Sequence, residues 1–259
     1  MRIVVGLEYR GVGFCGWQSQ LQGCGVQDAL ESAVSTIAGE KTVVTAAGRT
    51  DTGVHAAFQV VHFDPAVNRP LTAWVRGVNS HLPPGVAVLW AREVDESFHA
   101  RFAATQRGYR YVLLNHPVRP GLQDGLIGWY HRPLDAGAMN LAAAHLIGQH
   151  DFSAFRAAEC QARSPIKELR LAHIERRGDY LLCDFRADGF LHHMVRNIMG
   201  SLVQIGAGVQ PPEWMNEILG GRDRTRAAPT FDAAGLYLTH IRYPAHFGLP
   251  ESSERWLFA

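Results

Sequence analysis

Three observations predict an α+β fold for this chain of 259 residues. Stretches with the two-residue alternation of strands and stretches with the 3.6-residue period of helices take turns along its length. They follow the order β-α-β-β-α-β, and that order occurs twice. Hydrophobic residues make up 47% and charged residues 19%, which supplies one large or two smaller domains with real cores.

The first half begins with RIVVGLEY at 2–9, read as a strand. A helix follows at 26–38, where Val26, Leu30, Val34 and Ile37 share one face. Residues 42–48 and 57–64 read as two strands around a short polar loop; a helix at about 71–81 and a strand at 86–95 complete the unit. In the second half, 105–115 reads as a strand and 134–147 as a helix. Strands at 166–176 and 180–187 are joined by Arg177, Gly178 and Asp179, a turn signal. A long helix at 190–206, a short one at 212–219 and a last strand at 236–243 follow. The Pro- and Gly-rich stretches 116–133 and 221–235 read as loops. This order is the split β-α-β signature of a ferredoxin-like unit. Two such subdomains are therefore expected, 1–103 and 104–259, with mainly antiparallel sheets packed on helices.

Composition narrows the functional classes. The start, MRIVVGLEY, turns polar too soon for a signal peptide, and no apolar run reaches membrane-spanning length, so a cytoplasmic location is expected. Cys15, Cys24, Cys160 and Cys183 show no metal-finger spacing and are expected as reduced, structural thiols. His192 and His193 are adjacent, and neighbouring positions on a helix diverge, so they are poor evidence for a metal site. Net charge is only +1, yet of 25 basic residues only Lys41 and Lys167 are lysines and the other 23 are arginines. Arginine forks suit phosphate and stack on bases, which fits an RNA partner; codon bias accounts for the same excess equally well.

AAGRTDTGVHA, residues 46–56, packs Arg49, Asp51 and two glycines between strand-like runs. Three readings are open for Asp51. One is an Asx-type turn whose carboxylate satisfies backbone amides. The second is an aspartic protease, since Asp51-Thr52-Gly53 is that class's tripeptide; the chain has no second copy to share a proton, and Arg49 would hold the carboxylate ionised. The third is a lone catalytic carboxylate acting on a nucleic acid, which needs an aromatic platform for a base and a cation to orient the aspartate.

Candidates for those parts exist. RGYRY sets Arg107, Tyr109 and Tyr111 on one face of a strand, either as a cross-strand aromatic pair or with a tyrosine free to stack on a base. In FLHHMVRNIMGSLVQIG, Arg196 flanks the apolar stripe, as a snorkelling boundary residue or as the partner of a carboxylate. FHARF (98–102) and FRAAECQARS (155–164) interleave aromatics with arginines, which suits phosphate contact and base stacking or simply a solvated loop.

Taken together, LEYRGVGFCGWQ, AGRTDTGVHA, NSHLPPGVAV, FHARFAATQRGYRYVLLNH, DFSAFRA, FLHHMVRNIMGSL and AAGLYL resemble the A-type tRNA pseudouridine synthases. The segments run in order from residue 7 to residue 238. The resemblance implies an isomerase that converts uridines at positions 38 to 40 of the tRNA anticodon arm to pseudouridine. It also implies a homodimer of ferredoxin-like halves that uses neither metal nor organic cofactor. Residue by residue, it implies Asp51 as the essential carboxylate, Tyr109 as the base-stacking tyrosine and Arg196 as the cation paired with the carboxylate. Arg49 matches the residue that extrudes the target nucleotide, while His99, Arg101 and Arg163 fall in regions that touch tRNA. Gly108 departs from the family pattern, which has a basic residue there; the departure bears on one phosphate contact and not on the chemistry. The competing expectation is a non-catalytic RNA-binding protein on the same sheets.

Overall fold

The computed structural model describes residues 1–251; the last eight residues of the expected second half lie outside the described residues. The fold is mixed α and β with mostly antiparallel pairing and, among the described residues, five α-helices. The chain forms two compact units, one of Met1–Gln106 with the segment from Tyr237 onward, the other of Arg107–Leu236.

In the first unit the elements are β1 (Arg2–Tyr9), α1 (Val26–Ala38), β2 (Thr45–Ala46), β3 (His55–Phe63), α2 (Val78–His81) and β4 (Val86–Val94). β1 is central, antiparallel to β3 on one side and to β4 on the other, and β2 adds to β3. Being covered on both faces, β1 and β3 carry near-continuous buried runs rather than clean alternation. α1 buries Val26, Leu30, Ala33 and Val34, close to the face its spacing predicts. Two elements differ from expectation. The strand expected over 42–48 shrinks to Thr45–Ala46: the Thr42 and Val44 amides donate instead to Ser35 Oγ and Glu31 Oε1, and the buried Gln59 side chain takes the carbonyl of Gly48. The helix expected over 71–81 is a π-turn in its middle, Ala73–Gly77, where buried Trp74 meets Phe63 edge-on.

The second unit holds β5 (Gln106–Asn115), β6 (Gly128–Tyr130), α3 (Ala136–Ala144), β7 (Gly148–Asp151), β8 (Ile166–Arg177), β9 (Tyr180–Ala187), α4 (Met194–Gly206) and α5 (Trp214–Gly221). β5, β9, β8 and β7 lie side by side and antiparallel. β6 adds parallel to β5 inside a stretch expected as loop, and β7 is a further strand that periodicity did not reveal; with three and four residues, neither is long enough to show one. β10 (Leu236–Arg242), which belongs to the first unit from Tyr237 onward, pairs there in parallel with β3 through Tyr237–His55 and Leu238–Ala56.

Two expectations need correction. Cys15 and Cys24 are not free thiols: their Cα atoms stand 5.4 Å apart and the sulfurs are bonded, leaving Cys160 and Cys183 reduced. The loop between them doubles back, with the Cys15 amide donating to the Cys24 carbonyl at 2.9 Å, and that return is not written in cysteine spacing. His192 and His193 do not diverge either. α4 starts only at Met194, His193 sits left-handed at φ 61°, and the two rings lie 4.0 Å apart.

Candidate active site

The Asp51 loop is built by its neighbours in the first unit. Asp51-Thr52-Gly53-Val54 is a β-turn: the Val54 amide donates to the Asp51 carbonyl at 3.1 Å, and Gly53 takes φ 80°, the third-position conformation of a type II turn. The residue before it, Thr50, is held from two sides. Its hydroxyl lies 2.7 Å from the hydroxyl of Tyr9 on β1, and its carbonyl accepts from the Trp17 amide at 2.9 Å. Tyr9 is fully buried, which pushes its hydroxyl up to about 12 and keeps it a neutral hydrogen-bonding group. Gln59 on β3 donates to the Gly48 carbonyl at 2.7 Å, closing the loop's other end.

The far side of the turn rests on backbone. A Cβ at Gly11 would lie 2.2 Å from the Val54 carbonyl oxygen, so no larger residue fits there. The Gly11 amide donates to His55 Nδ1 at 3.0 Å, which assigns the ring's proton to Nε2, and the His55 ring stacks on Tyr237 at 4.5 Å. Buried Tyr9, Trp17, His55 and Gln59 thus surround a loop that leaves Asp51 half-buried and Arg49 exposed. A disposable turn does not require four buried side chains.

Also in the first unit, His99 and Arg101 sit in the turn that follows β4. His99 is half-buried and Arg101 exposed. His99 Nδ1 accepts from the amides of Arg101 and Phe102, and burial together with the Arg2 charge holds its pKa below the ordinary value.

The second unit carries Tyr109, Arg163 and Arg196. Tyr109 lies opposite Phe185 in the β5–β9 register, half-buried, with its ring 5.0 Å from Phe190 and perpendicular to it. Tyr111, two residues on, is buried and donates to the Asp232 carbonyl, so of the two only Tyr109 retains partial exposure. Arg196, half-buried in the first turn of α4, donates through Nε to the Phe231 carbonyl at 2.9 Å, and the Phe231 amide returns a bond to the Arg196 carbonyl at 3.1 Å. Arg163 is exposed at the end of a loop braced by Arg156, whose Nη2 donates to the carbonyls of Cys160 and Ala162 at 2.7 and 3.0 Å.

Residues 7–103 and 142–244 match the family model described as tRNA pseudouridine synthase. The chain belongs to that family. Among similar proteins, the tRNA pseudouridine synthase A of Thiobacillus denitrificans is 82% identical over 259 residues, all of both chains. Those of Dechloromonas aromatica and Methylobacillus flagellatus are 56% and 57% identical and cover 99% and 98% of this chain. The stretches matched by the pseudouridine synthase model contain Arg49, Asp51, His99, Arg101, Arg163 and Arg196; Tyr109 lies between them.

Motif reading did not single out Tyr9, Trp17, Gln59 or Arg156. Tyr9 and Trp17 lie in the segment LEYRGVGFCGWQ and Arg156 in FRAAECQARS, and Gln59 is a lone amide inside the apolar run AFQVVHF. Nothing local distinguishes Tyr9 from a core tyrosine, because its role depends on a residue 41 positions away.

Proposed function

We propose that this chain isomerises uridines in the anticodon arm of tRNA to pseudouridine, with Asp51 as the essential carboxylate. The observation that carries the proposal is the Asp51 turn, braced at Thr50, Gly48 and Val54 by buried side chains and backbone, within the first stretch, 7–103, that the family model matches. In the reaction the N1–C1′ bond breaks, the uracil turns, and a C5–C1′ bond forms; the proton lost from C5 is balanced by one gained at N1. The base must first leave the helical stack, at a cost of roughly a few kcal/mol. Arg49 offsets this by filling the vacated space or gripping the backbone. Tyr109 takes the extruded uracil by stacking, and Arg196 supplies the positive charge that favours a carboxylate. Attack at C1′, addition at C6 and proton removal at C2′ all require the ionised Asp51 carboxylate.

The strand arrangement supports reading the halves as ferredoxin-like: β4-β1-β3-β2 in the first unit has the order of that fold, and β5-β9-β8 in the second follows the same pattern. We retain the homodimer, the cofactor-free reaction and the cytoplasmic setting as parts of the proposal. Among the described residues no helix is long and apolar enough to cross a membrane.

The test is pseudouridine mapping on an unmodified tRNA transcript, without added metal or cofactor, by chemical labelling and primer extension. New stops are expected at anticodon-arm uridines with the parent chain, and none with Asp51→Asn at equal tRNA binding. Modification by Asp51→Asn, or tight binding by the parent without modification, would refute the catalytic reading; the second result would leave an RNA-binding protein.

A further inference from the structure

We propose that Phe102 is a stacking platform for an unpaired nucleotide, with Arg101 beside it to take the phosphate. The proposal rests on the RNA-modifying reading above. Phe102 is 75% exposed, yet the turn that carries it is fixed. Its anchor is Phe98, fully buried against Tyr243 and Phe247 with ring centroids at 5.0 Å in both pairs. The Phe98 carbonyl accepts from Arg2 at 2.6 Å and the Ala100 carbonyl from the Tyr243 hydroxyl at 2.7 Å.

The amides of Ala100, Arg101, Phe102 and Ala103 are all bonded in turn, to His62 Nδ1, to His99 Nδ1 twice and to the His99 carbonyl. The His99 ring supports one side of Phe102, 4.3 Å between centroids and tilted by 33°, and the Arg101 guanidinium lies 5.7 Å from the ring centre. An isolated exposed apolar residue needs no explanation. A phenyl ring held outward by a fully bonded turn, with a guanidinium beside it, combines the two elements that single-stranded nucleic acid requires: a flat face for a base and a cation for its phosphate. A purely apolar partner would leave Arg101 to be desolvated, which disfavours a protein surface as the occupant.

The experiment measures binding of the unmodified tRNA transcript by the full chain carrying Phe102→Ala, Phe102→Leu or Phe102→Trp. It also records turnover at saturating tRNA and the oligomeric state by light scattering. Phe102→Ala is expected to weaken binding by roughly 5- to 150-fold, the range for losing one base stack. Phe102→Trp should bind at least as well as the parent, with its added fluorescence quenched by tRNA, and Phe102→Leu should resemble the alanine variant. Parental binding by the alanine or leucine variant overturns the proposal, as does a changed oligomeric state, which would make the ring a contact between copies. A parent chain that binds tRNA and shows this ordering of variants but makes no pseudouridine upholds the platform and refutes the synthase reading. A parent that does not bind tRNA overturns both.

Discussion

The Asp51 turn is braced by a buried hydroxyl pair. Thr50 and Tyr9 meet at 2.7 Å in a site closed to water, so deleting one hydroxyl leaves the other buried and poorly satisfied. Tyr9→Phe is expected to cost about 1–3 kcal/mol of stability. It should lower turnover at 25 °C, where the variant stays folded, more than it weakens tRNA binding, because the change acts on the aim of the turn. Equal kcat and KM for Tyr9→Phe and the parent would reduce the pair to a core contact. Of the expected site residues, Asp51 and Arg49 were legible because a Gly-rich polar loop between apolar strands is a local pattern. The brace was not, because Tyr9 and Gln59 belong by pattern to the apolar interiors of β1 and β3.

At the scale of elements, the turn after β4 is joined to β3 through a histidine that must stay neutral. His62 Nδ1 accepts from the Ala100 amide, and its pKa is lowered to about 4 by burial, with the charges of Arg2 and His99 adding and Asp64 opposing. Between the ordinary 6.5 and about 4 the unfolded chain binds a proton that the folded chain refuses. The stabilisation is therefore complete above pH 6.5 and is lost as pH falls toward 4, with a slope of at most about 1.4 kcal/mol per pH unit for one histidine. His99, held down by burial and the same Arg2 charge, adds in the same direction. Denaturant unfolding across this pH range should show the slope in the parent and a smaller one in His62→Gln; identical slopes would remove His62 as its source. The helix and strand periods predicted most elements but not where α4 begins. A left-handed His193 breaks the helix one residue before Met194, although the apolar spacing starts earlier, at Leu191.

For the molecule as a whole, the cross-link between Cys15 and Cys24 closes a short loop whose Trp17 amide reaches the Thr50 carbonyl. Closing a loop of this length stabilises by about 2–3 kcal/mol, on the chain-entropy account. Thermal unfolding with and without a reductant should differ by several degrees. The double variant Cys15→Ser with Cys24→Ser should melt at the reduced value and no longer respond. A reductant response that persists in the double variant would assign the effect to Cys160 or Cys183 instead.

The sequence by itself determined what repeats locally or is specific as a motif. It set the alternation of strands and helices, the apolar face of α1, the Asp51 loop and the family. Those features depend on neighbours a few residues apart, where side-chain period and turn chemistry act directly. Only the tertiary structure decided that β10 lies beside β3, that Cys15 meets Cys24, that Tyr9 and Gln59 hold the Asp51 turn, and that Phe102 is presented outward by a turn whose amides from Ala100 to Ala103 are bonded. Each of these joins residues whose meeting depends on how the backbone returns on itself. That return is set by burial summed over the whole core, and no short stretch of residues encodes it.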